Sequence, residues 1–292
     1  MNELEREQKE HERQEDLARL RGLRPIDDDF MRCIFRDNIP LAQLVLRIVT
    51  GRSDLEVKSL ETQRDMKRLV GARSICLDAY AEDSKGRKID LEVQRSDHGA
   101  GKRRARYHSS CMDAENLDAG QNFDELPETY TIFITENDVL GKGMAVYPVE
   151  RVNMVTGEPF EDGSYILYVN GAYRDESDIG KLMHDFSCWN PDDMHIGLLR
   201  ETTRYYKENA EGVEIMCRAF EEVREEARAQ GFEQGVEQGI ERGIKQGIEQ
   251  GSELERAKSI KMIMDSLKMT AEQAMDVLKI PKSDHSKYLA ML

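Results

Sequence analysis

Residues 73–95 read RSICLDAYAEDSKGRKIDLEVQR, and the fold turns on how this stretch is laid out. Two runs with apolar spacing flank EDSKGR, a glycine-containing segment suited to a hairpin turn, so the stretch predicts two antiparallel strands. Successive strand residues face opposite ways. Ile89, Leu91 and Val93 therefore share one face, and Asp90, Glu92 and Gln94 the other. A hydrophobic core would not choose that second set, and a merely solvated face has no need of it. The hairpin also brings Asp78, directly after the apolar run Ile75-Cys76-Leu77, near Glu92 or its neighbour. Carboxylates this close repel and shift their pKa values unless a cation lies between them. A hard divalent ion with oxygen ligands, Mg²⁺ or Mn²⁺, meets that need. The plainer alternative is ion pairing of Asp78 and Glu92 with Arg73 or Lys88.

Outward from the hairpin, the chain alternates helical and strand patterns. Phe30, Ile34 and Phe35, then Leu41, Leu44, Val45 and Ile48, fall at helical spacing on either side of Pro40, with Gly51 as a stop. Polar–apolar alternation from Leu55 to Thr62 predicts a first strand. GKRRARYHSSCMDAENL (101–117) reads as a helix with a basic first half, and TYTIFITEND (129–138) and GSYILYVNG (163–171) as further strands. From about Asp175 the pattern is mostly helical, and the lone tryptophan in DFSCWN (185–190) reads as a packing anchor without chemistry. The order helix, strand, hairpin, helix, strand defines an α/β sandwich around a small mixed sheet.

The chain has 292 residues, enough for one large domain or two ordinary ones, and carries a net charge of −15. That charge argues against a protein that coats nucleic acid indiscriminately. It is uneven, however: Thr62–His108 holds twelve Lys/Arg against seven Asp/Glu, a local +5 that permits selective phosphate contact. No apolar run is long enough to span a bilayer. The first twenty residues, MNELEREQKEHERQEDLARL, are charged throughout, unlike a signal peptide. Five scattered cysteines, with no Cys-x-x-Cys pair, favour free thiols in a reducing cytoplasm, and the six histidines show no His-Glu-x-x-His or zinc-ribbon spacing.

Residues 231–251, GFEQGVEQGIERGIKQGIEQG, repeat every four residues. Each glycine costs a helix about 1 kcal/mol relative to alanine, so the segment is weak alone. Close packing against a second copy would offset that, and a four-residue period points to right-handed supercoiling. A flexible solvated arm is the alternative; the interleaved charges exclude membrane insertion on either reading. In MTAEQAMDVLKIPKSDHSKYLAML (269–292), Thr270 and Gln273 are spaced as a capping box, and the two short helices that follow suit a packing cap or a minimal helix-turn-helix.

Asp78, a spacer, and Glu92-Val93-Gln94 resemble the Asp…(Asp/Glu)-x-Lys signature of the PD-(D/E)xK nuclease superfamily. The ordered series DDDFMRCIF (27–35), RSICLDAYAED, IDLEVQR, RARYHSSCMD (104–113) and YTIFITENDVLGKG (130–143) is similar to one branch, the Rpn-type recombination-promoting nucleases labelled PD-(D/E)xK family transposases. The resemblance covers most of 26–207 and the glycine-repeat tail. It implies a nuclease-like domain over 23–207 with a helix–strand–strand–strand–helix–strand core. A charged helix or tail (1–22) precedes it; a glycine-repeat arm (208–256) and short terminal helices (257–292) follow.

By the same resemblance Asp78 and Glu92 hold the metal, Mg²⁺ or Mn²⁺, with the Val93 carbonyl beside them and Asp29 of the first helix as an extra acidic ligand. Gln94 stands where the superfamily pattern has lysine, and a neutral amide positions a water or phosphate oxygen without supplying charge. That charge then falls to Arg95, or to Arg103, Arg104 and Arg106 on the next helix, with Tyr107 as a DNA contact. Each has a plainer rival: Gln94 as a strand amide, Asp29 as a helix-dipole partner, Tyr107 as a packing aromatic, Asp90 as a residue of the right parity facing a loop. The expected activity is metal-dependent DNA endonuclease cleavage in the cytoplasm, by a homo-oligomer joined through 231–251, possible promotion of recombination being inherited from the resemblance alone. The other readings are a non-catalytic interaction protein that keeps the nuclease fold, and an RNA-directed nuclease.

Overall fold

Asn38 and Pro40 show how local chemistry starts the helical layer. Asn38 accepts a hydrogen bond from the Leu41 N–H, Pro40 sits in the first turn where no donor is needed, and Gly51 ends the helix at φ 67°. The computed structural model describes residues 3–66, 75–95 and 97–292. Its elements run α1 (Glu3–Gly22), α2 (Asp28–Phe35), α3 (Ile39–Thr50), β1 (Val57–Met66), β2 (Ile75–Asp83), β3 (Lys88–Gln94), α4 (Lys102–Glu115), β4 (Thr129–Thr135), β5 (Val146–Val149) and β6 (Ser164–Asn170). Then come α5 (Asp178–Ser187), α6 (Gly197–Glu208), α7 (Ala210–Leu267), α8 (Ala271–Val277) and α9 (His285–Leu289). The chain divides into two units, Met1–Glu222 and Val223–Leu292.

In the first unit six strands form one mixed sheet in the order β1-β2-β3-β4-β6-β5. The first three strands are antiparallel, β3, β4 and β6 run parallel, and β5 pairs antiparallel to β6. Helix α4 makes the crossover between the parallel neighbours β3 and β4. One face of the sheet is a large apolar core. Ile89, Leu91 and Val93 lie there with Ile132, Ile134 and Val169, against Phe30, Ile34, Val45, Leu46, Leu182 and Phe186 from α2, α3 and α5. The other face is divided: Met66, Leu77 and Tyr80 pack under Cys111 and Met112 of α4, and Phe133 and Tyr168 pack against Ala100 and Ala105. Between these small clusters lies the polar row of β3.

The expected strand at Leu55–Thr62 begins later and runs further. The Leu55 carbonyl accepts from Arg47 Nε and the Val57 N–H donates to Gln43, which ties the start to α3. Pairing with β2 then draws the polar run as far as Met66 into the sheet. β5 was not expected from the sequence: it is a four-residue edge strand containing Pro148, a residue that edge strands tolerate. Trp189 is not a packing anchor, since it is 60% exposed. Its carbonyl is what matters. Lys207 Nζ donates to the main-chain carbonyls of Arg21, Leu23 and Trp189, which joins α6 to the ends of α1 and α5, and lies 5.6 Å from the Phe30 ring centroid.

The second unit has its own small core, Ile260 of α7 with Ala274 and Met275 of α8, Ile280 and Tyr288 of α9. Its terminal helices thus pack as a cap, and the Thr270–Gln273 capping box is formed. The glycine repeat lies within the 58-residue α7. Among the described residues no helix is long and apolar enough to cross a membrane.

Burial pushes the Lys207 ammonium pKa down to about 8 against the opposing charge of Asp27, and the ammonium donates to three carbonyls. Lys207→Met strands those acceptors, and hydrogen bonds to a charged group contribute ~1.5–3 kcal/mol. The expected result is a thermal midpoint lower by roughly 4–8 °C in calorimetry, with the secondary structure unchanged.

Candidate functional site

The site is built where the β2–β3 ladder stops. The two strands pair from Glu82↔Lys88 to Ala79↔Leu91. Beyond that, side chains replace main chain: the Asp78 N–H donates to Glu92 Oε1 (3.1 Å) and the Val93 N–H donates to Asp78 Oδ2 (3.0 Å). A strand residue presents its N–H and C=O to the same edge, so the Val93 carbonyl also faces the Asp78 side. On the other flank of β2, the β1 residue between the pairs Thr62↔Ala79 and Arg64↔Leu77 is Gln63, held at φ 56°. A non-glycine residue in that region costs ~1–2 kcal/mol, so strain is stored next to Asp78.

On β3, Asp90 and Glu92 are wholly buried and Gln94 half-buried, all facing α4. Arg104 and His108, one turn apart on that helix, reach down to them. Arg104 donates to Glu92 Oε2 (3.0 Å), to Gln94 Oε1 (3.4 Å) and, through Nε, to His108 Nε2 (3.2 Å). A guanidinium can only donate, so Nε2 is the accepting nitrogen and the His108 proton sits on Nδ1, where it donates to Asp90 Oδ2 at 3.0 Å. His108 Nδ1 also lies 3.8 Å from Glu92 Oε1, and its ring meets Phe133 edge-on. Asp90 Oδ1 is buried without a hydrogen-bond partner. The Gln94 amide lies against Gly99, where an added Cβ would stand 2.0 Å from the Gln94 Oε1.

The electrostatics follow from this crowding. Burial raises the Asp78 pKa to about 6, against the Val93 N–H that lowers it, and Asp28 of α2 raises it further. Burial first, then Asp90 and Asp78, raise Glu92 to about 8. Burial and Asp78 hold Asp90 well above the ordinary carboxyl range, and burial lowers His108. Without a cation, the cluster keeps protons that solvated carboxyls would have lost. Asp90, Glu92 and His108 are grouped closely enough to share a metal ion, and Asp78 touches Glu92 from the adjacent strand. The hard oxygen donors and the unpartnered Asp90 Oδ1 fit a divalent cation.

The expected residues are therefore partly assembled and partly dispersed. Asp78, Glu92, Val93 and Gln94 come together, and Arg104 joins them. Arg95, next after Gln94, turns the other way to Asp27 and Glu136 (3.2 and 3.7 Å). Arg103 and Arg106 are exposed on α4 away from these contacts, and Tyr107 packs on the cluster of Met66, Leu77 and Tyr80. Asp29 pairs with Arg19. The α2 acid that acts on Asp78 is instead Asp28, itself 2.9 Å from Arg32. Lys88 pairs with Glu82, not with Asp78 or Glu92, and Arg73 lies outside the described residues. His108 was missed altogether, although its four-residue spacing from Arg104 places the two on one helix face.

A mixed sheet with carboxyl groups on a central hairpin, under a basic helix that crosses to the next parallel strand, is the architecture of a nuclease-type α/β core. The chain belongs to the PD-(D/E)XK nuclease family transposases, whose family model matches residues 45–190. That span includes the hairpin, α4 and all six strands. No curated protein and no solved structure matches the chain.

Glu92 is faced by Asp78 from β2, Asp90 from its own strand, and Arg104 and His108 from α4. Its folded pKa lies above the ordinary glutamate value, so its contribution to stability is full below that value and lost as pH rises through about 8. His108, ordinarily near 6.5 and lowered here, is neutral in both states over the upper part of that range. In excess chelator the melting temperature should fall as pH rises from about 5 to about 8 and level off above that, and Glu92→Gln should flatten the slope most above about pH 6, where Asp78 has already titrated.

Proposed function

We propose that this chain is a divalent-metal-dependent DNA endonuclease that hydrolyses phosphodiester bonds. The observation that carries this reading is the mutual contact of Asp78 and Glu92, from adjacent strands, with an unpartnered buried carboxylate oxygen on Asp90 beside them. Asp78 and Glu92 would hold Mg²⁺ or Mn²⁺ with the Val93 carbonyl at the same strand edge, and Asp90 is the nearest further oxygen donor. When bound, the ion supplies Lewis-acid stabilisation of the scissile phosphate.

The chain's own residues do the rest. Gln94, lying against Gly99, orients a water or a phosphate oxygen through its amide. Arg104, which rests on Glu92, would supply the positive charge that the glutamine lacks and bind phosphate as a planar fork. His108 orients Asp90 and anchors Arg104 from below. In this scheme Arg95 is a structural ion-pair partner of Asp27 and Glu136.

Plasmid nicking by the purified chain with Mg²⁺, Mn²⁺ or EDTA tests this directly. Metal-dependent cleavage should fall at least about 100-fold in Asp78→Ala and in Glu92→Ala, and roughly 10–100-fold in Arg104→Ala, with Arg95→Ala close to the parent. Equal cutting by parent and ligand variants would reject the assignment. A folded parent that never cuts would favour the interaction-protein reading.

We also propose self-association through the glycine repeat. Phe232, Val236, Ile240, Ile244 and Ile248 are all exposed along α7, and each glycine from 231 to 251 has open space where a side chain would stand. A second copy of the same helix would bury these apolar residues, and a dimer would bring two sites to one duplex. Light scattering should give a dimer or larger species that becomes monomeric on deletion of residues 230–292. A monomer unchanged by that deletion rejects the proposal.

A further inference from the structure

A second cluster of metal-type ligands lies at the end of α5, on residues that the nuclease reading does not use. His184 is in the last turn of the helix and Cys188 is its C-cap, so the two lie one turn apart on one face. His184 Nδ1 lies 3.4 Å from Cys188 Sγ and 3.1 Å from Asp185 Oδ1. With Nδ1–H donating to the carboxylate, the thiol turns to Nε2 of the same ring, 3.7 Å from Sγ, so carboxylate and thiol both crowd one imidazole.

The three groups are also spaced to share one metal ion. Tetrahedral coordination at bond lengths of ~2.0–2.3 Å separates neighbouring donor atoms by roughly 3.3–3.8 Å, close to the spacings observed. Asp185 is wholly buried and already fixed, with Oδ1 accepting from the His195 N–H (2.9 Å) and Oδ2 from the Ile196 N–H (2.7 Å) at the start of α6. The same bonds carry the His195 ring to 4.6 Å from that of His184, at a tilt of 48°. An imidazole, a thiol and an oriented carboxylate therefore converge, with their ligand atoms all within 4.8 Å of one another, and a second imidazole stands beside them. His184 and Cys188 are only partly buried, which leaves an entry path.

We propose that His184, Asp185 and Cys188 form a site for a zinc-class ion, separate from the carboxylates of β2 and β3. The spacing His-Asp-x₂-Cys is not a zinc-ribbon or His-Glu-x-x-His pattern and becomes visible as a site only through the fold. A thiolate with an imidazole nitrogen selects a borderline ion such as Zn²⁺ over Mg²⁺, whereas the all-oxygen set around Asp78 favours the harder ions. Binding releases the Cys188 proton to solvent, so affinity rises with pH. Through Asp185, which also accepts from the His195 and Ile196 N–H groups, the ion would brace the end of α5 against the start of α6.

The test uses the full chain, stripped with a chelator and titrated with Co²⁺ under reducing conditions. A thiolate-to-cobalt charge-transfer band is expected, displaced by Zn²⁺ and not by Mg²⁺. It should persist in the Asp78→Ala/Glu92→Ala double variant and in Cys217→Ser, vanish in Cys188→Ser, and weaken at least about tenfold in affinity in His184→Ala. Zinc should also protect Cys188 of the unaltered chain from alkylation, as read by peptide mass mapping, which keeps the test independent of how the variants fold. Absence of the band in the folded parent, its survival in Cys188→Ser, or unchanged alkylation of Cys188 in zinc would each overturn the proposal.

Discussion

Three carboxyl groups crowd together on the sheet, Asp90 and Glu92 wholly buried and Asp78 partly so, and their mutual repulsion is the constraint to which the rest of the site answers. Unit charges 4 Å apart interact by ~4 kcal/mol even at an effective dielectric constant of 20, so Asp78, Asp90 and Glu92 cannot all ionise without help. The structure supplies part of that help from the backbone, through the Val93 and Asp78 N–H groups, and part from α4, through Arg104 and His108. It leaves one oxygen of Asp90 without a partner. A fold seeking only stability would place apolar side chains at those positions, as it does on the opposite face of the same strand with Ile89, Leu91 and Val93.

The two faces of β3 also explain how the work is divided. The apolar face meets three helices and continues into β4 and β6, which holds the strand rigid. The polar face meets one helix, whose cationic end stands over the carboxyls and whose far end packs on β1 and β2 through Cys111 and Met112. Helix α4 is thus anchored at one end and electrostatic at the other. Rotation of α4 by one residue would remove Arg104 and His108 from the site together, because they share a helix face.

Much of this was legible in the sequence, and the unread part has identifiable causes. Period-two alternation alone placed Asp90, Glu92 and Gln94 on one face, and hairpin closure put Asp78 beside Glu92. The choice among four arginines was not legible, because basicity marks α4 but only its rotation over the sheet selects Arg104. Asp28 and Asp29 are adjacent in sequence and separated by the turn of α2, so the acid near Asp78 had to be seen. Trp189 misled because aromatic residues usually anchor cores, whereas here its backbone serves as an acceptor for Lys207. β5 has too few residues and an internal proline, and exists because β6 offers it an edge.

The candidate ligands and the side chains that hydrogen-bond them, from Asp78 to His108, lie within one short stretch of chain. A hairpin followed by a helix closes only small loops, so this segment can assemble early and at low entropic cost. The desolvation does not come from the same stretch. It requires β4 and β6, which close the sheet beneath α4 and bring Phe133 against His108. Carboxyl geometry and carboxyl burial therefore come from different parts of the chain: the hairpin and α4 set the first, and β4 and β6 complete the second. The cost of desolvating the carboxyls thus falls on strands that carry none of them.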